Sequence, residues 1–168
     1  NGTLNFSNFA NLVGGSNTDS FILDGGTPGT GVLTGGIDGG LGVNSLTGDD
    51  VANAFTVTGS NSGTATGIAD GFTNIANLTV GTSTDGFTIV NGGSLTGAID
   101  GNTGTDTLTG ANATNTWTIT SANSGTVTNV TGGFSGIENL VGGSGIDNIT
   151  LTSGGTLSGS IDGGAGVN

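Results

Sequence analysis

The chain has 168 residues, no Lys, Arg, His, Cys, Met or Tyr, and a net charge of −12 at pH 7. A surface without cations cannot neutralise phosphates, which excludes nucleic acid as a partner. Without His, Lys, Cys or Tyr most catalytic bases and nucleophiles are missing, so the chain reads as a non-enzyme.

No disulfide framework is possible. No apolar run reaches the roughly 18 residues of a membrane helix, so membrane insertion is not expected. The chain carries no leader pattern and no Met, and reads as a processed product or a window of something longer. It has 38 Gly, yet 32% of its residues are apolar and evenly spaced, which argues for a folded core. The carboxylates have no internal partners, so solution cations are their only counter-charge.

The chain opens on a block that recurs. "FSNFANLVGG" begins at Phe6, "FTNIANLTVG" at Phe72 and "FSGIENLVGG" at Phe134. The repeats are 6–71, 72–133 and a partial 134–168, within one segment spanning 1–168. The first two align over 62 positions with 30 identities once Thr27-Pro28-Gly29-Thr30 is set aside as an insertion. Fixed-period self-similarity of this kind marks a repeat architecture.

Within each repeat the first element is a Gly-rich turn feeding a short strand. It reads "GGSNTDSFI" at 14–22, "VGTSTDGFT" at 80–88 and "GGSGIDNIT" at 142–150. The last has the G-G-x-G-x-D-x-apolar-x pattern of calcium-binding β-rolls. Gly would expose carbonyls and Asp would supply charge to a hard cation. The same residues also make an ordinary turn before a strand. Next comes Ile-Asp-Gly, at Ile37-Asp38-Gly39, Ile99-Asp100-Gly101 and Ile161-Asp162-Gly163, read as a turn leaving a buried Ile. A second nonapeptide-like turn follows, "GGLGVNSLT" at 39–47 and "GNTGTDTLT" at 101–109, with "GGAGVN" at 163–168. The repeat closes on "TWTIT"-like strands and on "NSGTAT" or "NSGTVT", which lack Asp. Alternation at period two, with β-branched residues between Gly and Asn turns, is strand chemistry.

Three apolar columns step by about 21 residues. One runs Leu12, Ile37, Val57, Leu78, Ile99, Ile119, Leu140, Ile161. The second runs Phe9, Leu33, Phe55, Ile75, Leu95, Trp117, Ile137, Leu157, placing Trp117 in the core at the position of Phe55. The third runs Phe21, Leu46, Ala65, Phe87, Leu108, Val127, Ile149. The expected fold is therefore all-β: a right-handed parallel β-solenoid of about eight coils, three per repeat. On it Asp85 would lie beside Asp106, Asp19 beside Asn44, and Asp147 beside Asn168. Asn11, Asn77 and Asn139 would share one corner. Thr64, Thr66, Thr107, Thr109, Thr126 and Thr128, with Thr47, Thr88 and Thr150, would form an outer Thr-rich face, interrupted by Ile22, Gly86 and Asn148.

"FSGIENLVGGSGIDNITLTSGGTLSGSIDGGAGVN" and "TNTWTITSANSGTV" together resemble the repeat arrays of giant secreted bacterial adhesins and β-strand-repeat surface proteins with haemolysin-type (RTX-like) calcium nonapeptides. The resemblance covers the whole chain. It implies export to the bacterial surface and a structural role in a stalk, fibre or biofilm matrix. It also implies partners among neighbouring repeats of the same or identical chains, stacked end to end or side by side. Its calcium positions carry over to Asp19, Asp85, Asp106 and Asp147, while Asn44 and Asn168 depart from the pattern. The alternative is a binding module for ice or glycan, using the Thr-rich face.

Overall fold

The computed structural model describes residues 9–23 and 32–168. Phe6, where the first repeat begins, and the Thr27–Thr30 insertion lie outside them. The described residues contain no helix and fold into two mixed sheets.

The chain first alternates between the sheets. β1 (Leu12–Val13) and β3 (Ile37–Asp38) lie in sheet A; β2 (Ser20–Ile22) and β4 (Ser45–Thr47) lie in sheet B. A three-stranded antiparallel meander then enters sheet A: β5 (Ala54–Gly59), β6 (Ser62–Ala65) and β7 (Ile68–Thr73). Alternation resumes with β8 (Asn77–Thr79) in B, β9 (Gly86–Ile89) in A, β10 (Ile99–Asp100) in B and β11 (Thr107–Thr109) in A. The second meander, β12 (Asn115–Ser121), β13 (Ser124–Val127) and β14 (Val130–Ser135), enters sheet B. β15 (Asn139–Val141) in A, β16 (Asp147–Leu151) in B and β17 (Ile161–Asp162) in A complete the chain.

The meanders replace the uniform 21-residue climb. Leu78 pairs with Ile99, Phe87 with Leu108 and Leu140 with Ile161, at the expected step. Leu12 pairs with Ile37 and Phe21 with Leu46, the same step lengthened by the insertion. Ile99, however, pairs with Phe134 rather than Ile119, and Ile37 pairs with Phe72 rather than Val57. Leu46 pairs with Leu78 and Leu108 with Leu140, skipping Ala65 and Val127. Each meander doubles back inside one sheet, so its three strands fill three adjacent positions. The neighbouring strands reach across it by longer steps.

Glycine makes the doubling back possible. A Cβ on Gly63 would sit 2.0 Å from the Thr56 carbonyl, and one on Gly125 would sit 2.1 Å from that of Thr118. Both positions lie where the strand register shifts. The first turn of each meander holds Asn61 or Asn123 at φ 50°; the second holds Gly67 at φ 82° or Asn129 at φ 71°. Left-handed backbone selects Gly and Asn.

Successive repeats occupy opposite sheets. β1 corresponds to β8, β2 to β9, β3 to β10, β4 to β11 and the first meander to the second. Every such pair exchanges A for B, the topology of a two-fold screw. One core lies between the sheets. Phe55, Val57, Phe72, Phe87 and Leu108 from sheet A meet Leu46, Leu78, Ile99, Trp117 and Ile119 from sheet B, all almost fully buried. Each such side chain contributes about 1.5–3 kcal/mol of apolar burial.

Candidate functional site

The chemistry-bearing residues cluster where the chain enters each strand. Asn44, Asn53, Asp85, Asp106, Asn115 and Asp147 are the buried polar side chains among the described residues. They line up as ladders, one side chain per rung, each capping a backbone N–H of the adjacent strand.

At the entry to the sheet A strands the ladder has four rungs. Asp85 Oδ1 accepts from Asn53 N at 2.6 Å, and Asp106 Oδ1 accepts from Asp85 N at 2.8 Å. Glu138 Oε2 accepts from Asp106 N at 2.8 Å, and its Oε1 accepts from Asn123 Nδ2 at 2.7 Å. At the entry to the sheet B strands, Asn44 Oδ1 accepts from Asp19 N at 2.9 Å. Further along, Asn115 Nδ2 donates to Asp147 Oδ1 at 2.6 Å, and Asn168 Oδ1 accepts from Asp147 N at 2.9 Å.

The structure thus brings together Asp85 with Asp106, Asp19 with Asn44 and Asp147 with Asn168, while Asp19 and Asp147 stand on separate stretches of ladder. Asn53, Asn115 and Glu138 are rungs that the 21-residue period does not reach, because 32 residues separate them from their partners. Their available signal was an Asn two residues before Phe55 and Trp117, and a lone Glu in an otherwise Asp-only chain. Asn11, Asn77 and Asn139 do not share a corner. Asn77 enters sheet B and the other two enter sheet A, each Oδ1 accepting a backbone N–H from Gly36, Ala98 or Ser160.

The Ile-Asp-Gly aspartates behave as turn residues. Asp38, Asp100 and Asp162 each accept the N–H two residues on, at 2.8–3.0 Å. The Asn74 amide and the Gly40 N–H hold the Asp38 carboxyl below its ordinary range.

Three buried oxygens stand apart: Oδ2 of Asp85, of Asp106 and of Asp147 has no hydrogen-bond partner. Burial, followed by the charges of Asp85 and Glu138, raises the Asp106 carboxyl to about 6 despite the N–H it receives from Asp85. Calcium takes six to eight oxygens. Here each of these aspartates has spent Oδ1 on the ladder, and Asp19 Oδ2 is spent on Gly15 N. Among the described residues no three acidic, His or Cys side chains converge. Asn44 and Asn168, at the repeat position of Asp106, present N–H groups that a cation would repel. The donor set does not fit a calcium cage.

On the outer face of sheet A, Thr64, Thr56, Thr88 and Thr109 form one row across four neighbouring strands, ending at Val141. Sheet B carries a shorter row, Thr126, Thr118 and Thr150. The chain matches no protein-family model, no curated protein and no solved structure.

Proposed function

We propose that the chain is a structural segment of an extracellular bacterial adhesin or surface fibre. In this reading the two mixed sheets are a flattened β-solenoid, right-handed by the usual crossover preference, that acts as a stiff spacer. The observation that carries the reading is the pairing between repeats. β8 pairs with β4, β9 with β5, β15 with β11 and β16 with β12, so each repeat docks on strands of the previous one. Such a fold grows by addition, and its stability sums over nearest-neighbour interfaces. Absence of Lys and Arg removes trypsin-type cleavage sites, an advantage outside the cell.

Two repeats give each sheet seven strands, five from one repeat and two from the other. Each 62-residue repeat then lengthens the rod by about 17 Å at roughly 4.8 Å per strand, whereas three simple coils would give about 14 Å. Chains carrying two, four and six repeats, measured by small-angle scattering and electron microscopy, test this. A constant increment near 17 Å is expected; a rod that bends, collapses or fails to lengthen overturns the spacer.

The Thr64–Thr56–Thr88–Thr109 row supports a second reading, a module for ice or glycan. Thermal hysteresis or a glycan-array signal abolished by Thr88→Tyr would favour it over the spacer.

A further inference from the structure

We propose that Asp106 is a proton site: its buried carboxyl group is held as the neutral acid, taking the part that an amide plays at the same position in the neighbouring repeats, and its ionisation loosens the ladder.

The repeats supply the comparison. Asn44 and Asn168 stand 62 residues either side of Asp106. Asn44 accepts from Asp19 N through Oδ1, and its Nδ2 donates to the Asn74 carbonyl at 3.0 Å. Asn168 accepts from Asp147 N and donates to the Gly163 carbonyl at 2.6 Å. Asp106 makes the first of these contacts, accepting from Asp85 N, but its Oδ2 has nothing to donate to the carbonyl in front of it.

That carbonyl is in place. A Cβ built on Gly39 would meet Asn74 O at 2.2 Å and Asn44 Nδ2 at 2.6 Å; one built on Gly101 would meet Gly136 O at 2.0 Å and Asp106 Oδ2 at 2.8 Å. Gly101 and Gly136 are the repeat equivalents of Gly39 and Asn74. Oδ2 therefore occupies the place of the amide nitrogen, facing an equivalent acceptor. An ionised carboxylate accepts only, whereas the acid form carries one O–H donor. A proton on Oδ2 restores the missing donor; without it, two oxygens face each other in a buried place.

The surroundings favour the proton. The charged groups facing Asp106 along the ladder are Asp85, ahead of β9, and Glu138, ahead of β15, both acidic. Asp100, the acid of the preceding turn, is directed at Asn102 N and Ser135. The chain holds no basic side chain. The carboxyl raised to about 6 agrees with this geometry. The inference is confined to Asp106. Asp85 and Asp147 share the unpartnered Oδ2, but their repeat equivalent is Asp19, whose Oδ2 accepts an N–H and sets no amide precedent.

The sign follows from linkage. A carboxyl whose folded value lies above its unfolded one contributes stability below pH 4, and that contribution is lost as pH rises through about 6. The test is thermal melting of the full chain between pH 4.5 and 8, native and Asp106→Asn, each with calcium and with chelator. The native melting temperature is expected to fall by several degrees between pH 5 and pH 7, calcium leaving it unchanged. Asp106→Asn should flatten that step and melt higher than native at pH 7.5. Carbon-13 titration of the native Asp106 carboxyl, expected to centre near 6, stands whether or not the variant folds. A carboxyl titrating near 4, an Asp106→Asn chain less stable than native at pH 7.5, or calcium stabilising native but not the variant would each overturn the proposal. The last would make the site one for a cation. The rod-length measurement is independent of all three outcomes.

Discussion

The two meanders, β5–β7 and β12–β14, are the same 62-residue motif built into opposite sheets, and their cores are filled differently. In the first, Phe55 stacks on Phe87 at 5.5 Å with the rings 16° apart, and tilts against Phe72 at 6.4 Å. In the second, Trp117 meets Phe134 edge-on at 6.2 Å, and the place of Phe87 is taken by Ile149. A larger ring is matched by a smaller neighbour. Interiors are close-packed, so such swaps survive only when total volume is kept. The backbone devices are unchanged: Gly63 and Gly125 at the register shift, Gly71 and Gly133 at φ 75° and 73°, Asn61 and Asn123 at φ 50°. The backbone chemistry defines the motif, while the packing adapts to whichever strand lies next to it.

The largest effect is expected from emptying the second meander. Trp117 is fully buried, so Trp117→Ala should cost about 3–5 kcal/mol. Equilibrium urea unfolding would show it, with Phe55→Ala falling in the same range. Equal losses would mean that both meanders anchor one cooperative core; a much smaller loss at Phe55 would mean that the first meander unfolds by itself. Next come the glycines. Gly63→Ala and Gly125→Ala each drive a methyl into a backbone carbonyl, of Thr56 or Thr118, and should cost about 1–3 kcal/mol each. Because the two sites are related by the sheet exchange, their costs should agree within about 0.5 kcal/mol, and melting curves would reveal any disparity.

Much of this arrangement was legible in the sequence. The Gly, Asn and Thr chemistry gave an all-β chain, and the 21-residue step placed Leu78 on Ile99 and Asp85 on Asp106. The meanders were not legible, because three equal coils and two coils plus a meander both divide 62 residues into steps near 21. A strand such as "TWTIT" alternates identically whether its neighbour runs parallel or antiparallel. What separates the two is local: a two-residue turn at Ser60-Asn61 or Ala122-Asn123, followed by a Gly that admits a carbonyl. The ladder suffered in the same way. Rungs on a true 21-residue step were paired correctly, while Asn53, Asn115 and Glu138 were reached only across a folded-back meander.

The smallest effect isolates the one polar difference between the two turns. Asn61 Oδ1 accepts from Thr96 N at 2.9 Å, and its Nδ2 donates to Thr96 Oγ1 at 3.0 Å. Asn123 makes the same two bonds to Ser158, at 2.9 and 3.0 Å, and adds one to Glu138, which stands where the first repeat has Ala76. Gly tolerates the left-handed backbone of both turns, so Asn61→Gly and Asn123→Gly remove the side-chain bonds without straining the chain. Loss of backbone entropy is common to both and cancels in the difference. The bond to a carboxylate at a half-buried position should then make Asn123→Gly about 1 kcal/mol more costly than Asn61→Gly. In a Glu138→Ala background, which restores the residue of the first repeat, that excess should vanish. A double-mutant cycle measures it directly. An excess that persists without Glu138 would mean that the turns differ in packing rather than in this one bond.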